Sequence, residues 1–226
     1  GDLRCLASGH PGLTRQAVLE RQRLIDQLPG LVDPMRYVTP HYRKSFPGPR
    51  LFQKALWLYD RMAGESTRQH IPLHEILQWL PGLEADGLRG VSAFTDAITD
   101  DARLVLRVLA EARALGAATR NYTRATHVEK PEHAPWRVTI ADRTGEGLLT
   151  ASVVVNATGA WAEQLWRTDH GKEHIRLLRG SHLLVPFERL PVSVALITKH
   201  PVDQRLVFLF PWMGSTVVGT TDMDHD

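Results

Sequence analysis

Two guanidinium groups and an imidazole crowd the run Arg176-Leu177-Leu178-Arg179-Gly180-Ser181-His182. In an extended strand, alternation puts Arg176, Leu178, Gly180 and His182 on one face. Arginine suits phosphate, and histidine accepts a proton near neutral pH. With glycine between them the pair makes a pocket for a phosphorylated alcohol. An exposed strand face accounts for the same residues, and the run alone does not choose.

Small side chains mark a second candidate. Val153-Val154-Val155-Asn156-Ala157-Thr158-Gly159-Ala160-Trp161 reads as an apolar strand that ends in small residues and enters a short helix over 162–166. Missing side chains let a cofactor approach the backbone, and helix N–H groups face an anion. An ordinary strand-turn-helix junction has the same pattern. A third candidate is Phe210-Pro211-Trp212-Met213-Gly214 leading to Gly219-Thr220-Thr221-Asp222. It is either a site wall of hydroxyls and a carboxylate or a hairpin with a polar tip.

A fourth stretch interleaves cations with large apolar groups: His41, Tyr42, Arg43, Lys44, Arg50, Lys54 and Arg61 among Leu51, Phe52, Leu56, Trp57 and Leu58. Such a segment can lie at a lipid headgroup boundary. It fits a core helix with a solvated basic rim equally well.

The elements that must position these groups follow from periodicity. Leu13, Ala17, Leu24 and Leu28 recur at helical spacing until Pro29-Gly30. Residues 33–49 are rich in Pro, Gly and aromatics and read as an irregular connection. Helical spacing resumes over 51–62, and Pro81-Gly82 makes another break. A strand over 90–97 precedes a helix with Thr99 as N-cap and Asp100 and Asp101 in its first turn, ending at Gly116. The second half reads as strands over 118–128, 136–142, 148–156, 175–185, 192–198 and 206–210, with a hairpin turn at 144–147. Helices first and strands later favour α+β, or an α/β core with an antiparallel layer.

Bulk properties narrow the function classes. Of 226 residues, 43% are hydrophobic, enough for a core, and the formal charge of +2 gives no argument for nucleic acid. Cys5 stands alone, which excludes an internal disulfide and suggests a reducing compartment. The eleven histidines form no HExxH pair. No apolar run approaches the ~20 residues of a membrane span, and Gly1-Asp2-Leu3-Arg4 is not a signal peptide.

Taken in order, these segments resemble the FAD-dependent glycerol-3-phosphate dehydrogenases over nearly the whole chain. Gly1-Asp2-Leu3-Arg4 is similar to the family's Gly-Gly-Leu-Arg, and Leu19-Glu20-Arg21 to its xxER helix. Asp100-Asp101-Ala102-Arg103-Leu104 is similar to its Asp-Asp-Ala-Arg-Leu. The 156–161 run, Arg179-Gly180-Ser181-His182, Pro211-Trp212 and Gly219-Thr220-Thr221-Asp222 complete the match.

The resemblance implies oxidation of glycerol 3-phosphate to dihydroxyacetone phosphate, hydride transfer to FAD, and a quinone as acceptor. It makes His182 the catalytic base or hydroxyl-orienting group, and Arg4 a substrate-binding cation facing the substrate end of the flavin. It assigns Gly1, Leu3, Ala125, Ala157, Thr158, Gly159 and Trp161 to FAD. It places residues 37–62 at a membrane surface, and so implies a cytoplasmic protein that is peripheral on the inner membrane. No metal and no nucleic acid are implied, and self-association through an uncovered apolar face is expected.

The fold expected is α+β: a substrate-domain antiparallel sheet with helices, plus part of an FAD-binding, Rossmann-like α/β domain. The divisions expected are 1–30, a partial FAD-binding segment and helix; 31–116, a helical and irregular cap; 117–166, part of the FAD-binding domain; and 167–226, substrate-domain strands. The chain departs from the family in having no GxGxxG and none of the family's later glycine-rich segment. It therefore reads as a piece of a longer flavoprotein, inactive alone. Cys5, Ala7 and Ser8 also differ from the family's usual residues. Two other readings stay open: a related flavin oxidase acting on glycerol 3-phosphate or an amine, and a non-catalytic module that binds a phosphorylated ligand or a membrane.

Overall fold

The computed structural model describes residues 11–43, 48–64, 66–69, 71–165, 175–221 and 223–224. They form two compact units, one of the described residues within 1–106 and 180–221 and one of those within 107–179 and 222–226.

The first unit is built on a seven-stranded sheet. Its strands are β1 (Val32–Tyr42), β2 (Arg68–Gln69), β3 (Leu88–Thr99), β8 (His182–Pro186), β9 (Ala195–Lys199), β10 (Leu206–Trp212) and β11 (Ser215–Gly219), in the order β2-β3-β1-β9-β10-β11-β8. Every pairing is antiparallel except β1 with β9, which run parallel. One face buries Val38, Ile76, Leu80, Ala93, Val192, Val194 and Leu196 together, beneath helix α3 (Leu73–Trp79).

Alternation turns Tyr37 to the opposite face. There its ring stacks on Phe94 at 5.6 Å, and Phe52 approaches Phe94 at 6.3 Å. Phe52 belongs to α2 (Pro49–Ala63), which packs against α1 (Pro11–Gln27). α2 opens on a proline, whose missing N–H costs nothing in the first turn. It closes at Gly64, whose φ of 72° suits glycine and whose N–H donates to the Asp60 carbonyl.

Strand β1 replaces the irregular connection expected over 33–49. Pro34 and Pro40 argued against a strand, because proline cannot donate to a ladder. β1 accommodates both: β9 pairs with it only at Tyr37 and Val38, so the prolines lie where it has β3 as sole neighbour.

The helix α4 (Asp101–Ala114) is capped by Asp100, not Thr99. The Asp100 carboxylate accepts the Arg103 N–H at 3.0 Å, while Thr99 is still paired in β3. Gly116, with φ of 91°, ends it as expected.

In the second unit, β4 (Arg124–Glu129), β5 (Trp136–Asp142) and β6 (Gly145–Ala151) form an antiparallel meander. The β5–β6 turn falls at Arg143-Thr144, one step earlier than expected, because Asp142 Oδ1 accepts both the N–H and the hydroxyl of Thr144, at 2.7 and 2.6 Å. Those bonds hold the exposed Asp142 carboxyl below its usual range.

β6 also stops at Ala151, where the sequence suggested a strand through 156. Residues 153–158 run on without a ladder partner among the described residues, and Val153 and Val155 are 72% and 81% exposed. The expected strand over 175–185 is likewise two pieces. β7 (Leu178–Arg179) pairs with β12 (Met223–Asp224) in the second unit, and β8 with β11 in the first. Arg176 and His182 therefore do not share one strand face.

Candidate functional site

Asn156 organises the turn where small residues suggested a cofactor. Its side-chain oxygen accepts the Thr158 hydroxyl at 2.7 Å and the Thr158 N–H at 3.3 Å, while its amide donates to the Ala162 carbonyl at 2.9 Å. Gly159, with φ of 59°, then starts a single 3₁₀ turn, Gly159–Trp161, followed by α5 (Ala162–Leu165). This is an Asx turn locked at both ends, and it leaves Trp161 65% exposed.

The turn faces the start of β4. Between them lies a cavity of about 550 Å³ lined by Thr123, Arg124, Ala125, Thr126, Thr158, Trp161, Gln164 and Leu165. Thr158 and Trp161 come from one run in the sequence and Ala125 from the family resemblance, and all three line this cavity. Gly159 sits in the same turn, and Ala157 precedes it. Thr123, Arg124 and Gln164 were not anticipated. Their signal was only proximity to Ala125 and Trp161, because the sequence suggested a strand starting at 118 and β4 starts at Arg124.

His182 heads β8 in the first unit, paired with Gly219 of β11. The Ser181 N–H donates to the Thr221 hydroxyl at 2.8 Å, and the Thr220 hydroxyl donates to the Thr221 carbonyl at 3.0 Å. The Phe210–Asp222 candidate thus resolves into a β10–β11 hairpin with its turn at Met213-Gly214. Its threonines lie not at that tip but at the far end of β11, against Gly180, Ser181 and His182.

Arg176 is engaged in an exposed ion pair. It grips Asp224 through two hydrogen bonds of 2.6 and 3.0 Å, which hold the Asp224 carboxyl below its usual range. Gly1, Leu3, Arg4, Lys44 and Asp222 lie outside the described residues.

The basic, aromatic stretch divides by depth. His41 is buried, its Nε2 2.8 Å from the Ser92 hydroxyl and its ring against Phe52. Leu56 and Tyr59 of α2 are also buried. Arg50, Leu51, Lys54, Trp57, Leu58 and Arg61 point outward, with the Arg61 guanidinium over the Trp57 ring. The buried Leu56 and Tyr59 with the outward cations match a core helix with a basic rim.

The family model for FAD dependent oxidoreductases matches residues 8–226. The chain belongs to the FAD-dependent oxidoreductase family. Relatives of this flavoprotein chain include the glycerol-3-phosphate dehydrogenase of Mycobacterium leprae, 30% identical over 99% of the chain and 39% of the relative. The aerobic glycerol-3-phosphate dehydrogenase of Bacillus subtilis is 31% identical over 98% and 41%. The chain thus spans about two-fifths of the length of these curated relatives.

Among solved structures, the glycerol-3-phosphate dehydrogenase from Bacillus halodurans complexed with FAD matches at a TM-score of 0.69 and 26% identity, over 96% of this chain and 38% of that one. The L-proline dehydrogenase of P. horikoshii matches at 0.65 with 17% identity, over 92% and 54%, a likeness of fold alone. These neighbours agree with the mixed α+β architecture of a flavin oxidoreductase.

Proposed function

We propose that this chain forms the substrate-facing part, and some of the flavin wall, of an enzyme that oxidises sn-glycerol 3-phosphate to dihydroxyacetone phosphate. The observation that carries the reading is the gap in identity: relatives named for glycerol 3-phosphate reach 26–31%, and the matched amino-acid enzymes 17–18%.

The cavity beside Trp161 fits part of an FAD. An indole supplies a stacking surface, small residues at 125 and 157–159 admit close backbone approach, and Arg124 offers a cation to an anionic group. Gly1 and Leu3 would add backbone along the same cofactor. When bound, FAD supplies a hydride acceptor. His182 takes the proton of the substrate's 2-hydroxyl, and Arg4 binds the anionic substrate. A quinone receives the electrons.

The outward face of α2 supports docking on the cytoplasmic side of an anionic membrane, where Trp57 and the leucines enter the headgroup region and the three cations meet phosphates. No helix among the described residues is long and apolar enough to cross a membrane. α4 turns Val105, Leu106, Val108 and Leu109 outward, a surface on which self-association rests. A formal charge of +2 supports no nucleic-acid partner.

The test is anaerobic mixing of the FAD-loaded enzyme of which this chain forms part with glycerol 3-phosphate. Bleaching of the flavin absorbance is expected with the phosphate and not with glycine or proline. Bleaching by an amino acid alone would replace this reading with that of an amine oxidase.

A further inference from the structure

Neither of the two glycines beside His182 is called for by a left-handed φ. Gly180 and Gly219 both lie outside the left-handed region that disfavours side chains. Their neighbours supply the reason. A Cβ at Gly219 would fall 2.8 Å from His182 Nε2 and 2.9 Å from Cγ, and nearer still to Cδ2. A Cβ at Gly180 would fall 2.5 Å from the Thr220 hydroxyl. Glycine inside a strand often marks such a close approach.

We propose that Gly219 is a positioning residue for His182: its bare backbone lets the imidazole lie down across β11, and any side chain at 219 drives the ring off that seat. Gly180 seats the Thr220 hydroxyl in the same way, so that imidazole and hydroxyl are presented side by side at the open end of the β8–β11 pair. The inference rests on His182 acting on substrate, but the seat itself is a property of the apo chain. General base catalysis is steeply sensitive to placement. A misplacement of about 1 Å costs on the order of a hundredfold in rate.

The displaced atoms belong to a side chain that can rotate, so Gly219→Ala is expected to fold. Gly82→Ala, where a Cβ meets nothing within 4 Å, is the control. In the histidine-labelled chain, Gly219→Ala should shift the His182 ring resonances and leave the other histidines in place. Gly82→Ala should shift none. Gly219→Ala should also lower the urea midpoint in the wild-type background and not in the His182→Ala background, where the seat is empty. Unmoved His182 resonances in folded Gly219→Ala would overturn the proposal. So would equal losses in both backgrounds, which would assign the glycine to the backbone.

In the FAD-loaded protein, the same substitution should slow reduction by glycerol 3-phosphate by about tenfold or more, with little change in substrate affinity. A moved ring with unchanged reduction would uphold the seat and remove His182 from the chemistry. Reduction by an amino acid instead would overturn the substrate and leave the seat standing.

Discussion

Arg21 on α1 donates to the phenol oxygen of Tyr59 on α2 at 2.9 Å, with both side chains buried. The same guanidinium reaches Asp96 of β3 at 3.4 Å, so one side chain ties both helices to the sheet. Removing one partner of a buried charge pair leaves the other uncompensated. Arg21→Ala is therefore expected to cost about 3 kcal/mol or more, read as a lower urea midpoint. Adding Asp96→Asn should recover part of the loss. If the two losses simply add, the pair is not coupled.

Tyr37 contributes to the alkaline limit of the first unit. Burial, and after it the charge of Asp96, pushes its phenol from 10.0 up to about 12. The folded chain keeps a proton that the unfolded chain has released. Its contribution to stability is thus whole below pH 10 and is lost as the pH climbs from 10.0 toward about 12. Tyr37→Phe keeps the stack on Phe94 and should flatten that loss, measured as urea midpoints across the alkaline range. Equal alkaline slopes in the two proteins would assign the effect elsewhere.

Trp161 is the test of the cavity. Stacking of a base on an aromatic ring contributes about 1–3 kcal/mol. Trp161→Ala should weaken binding of FAD or ADP by roughly tenfold to a hundredfold, followed by fluorescence titration. Ala125→Leu, which adds bulk to the same wall, should weaken it too. Unchanged affinity in both variants would place the nucleotide somewhere else.

Charge on α2 decides the membrane reading. A cation close to an anionic surface contributes about 1 kcal/mol. Lys54→Glu with Arg61→Glu should reduce sedimentation with phosphatidylserine vesicles by more than about tenfold, and added salt should mimic the change. Vesicle binding indifferent to both would leave the outward Trp57 and Leu58 without a lipid partner.

Periodicity revealed α1, α2 and α4 because each repeats apolar residues at helical spacing and carries its own stop, as Gly116 does for α4. β5 was legible for a similar local reason, with alternation and a polar turn beside it. β1 was not. Its prolines are tolerable only because β9 touches two of its residues, a fact about a distant neighbour. The breaks after Ala151 and at Gly180 were hidden for the same reason, since a strand exists only where a partner strand does.

The candidate site divides likewise. Ala125 and Trp161 were named through a family resemblance, and the fold brings them to one cavity. Arg124 and Gln164 drew no notice because nothing in their local sequence distinguishes them. Arg21 stood in a quoted motif, but its burial is tertiary. Arg176 looked available for phosphate until Asp224, far along the chain, was found holding it.

The parallel contact of Tyr37 and Val38 with Ala195 and Leu196 has a consequence for how the polypeptide is made. The strand β1 leaves the ribosome before β3 and finds it soon after, yet its other edge stays bare until residues 107–179 of the second unit have been synthesised. Contacts this distant in sequence close slowly, and a bare strand edge invites pairing with the wrong chain. During that interval the nascent protein depends on whatever shields a naked edge, and Pro34 and Pro40, which cannot donate to an intruding strand, supply part of that shield from within.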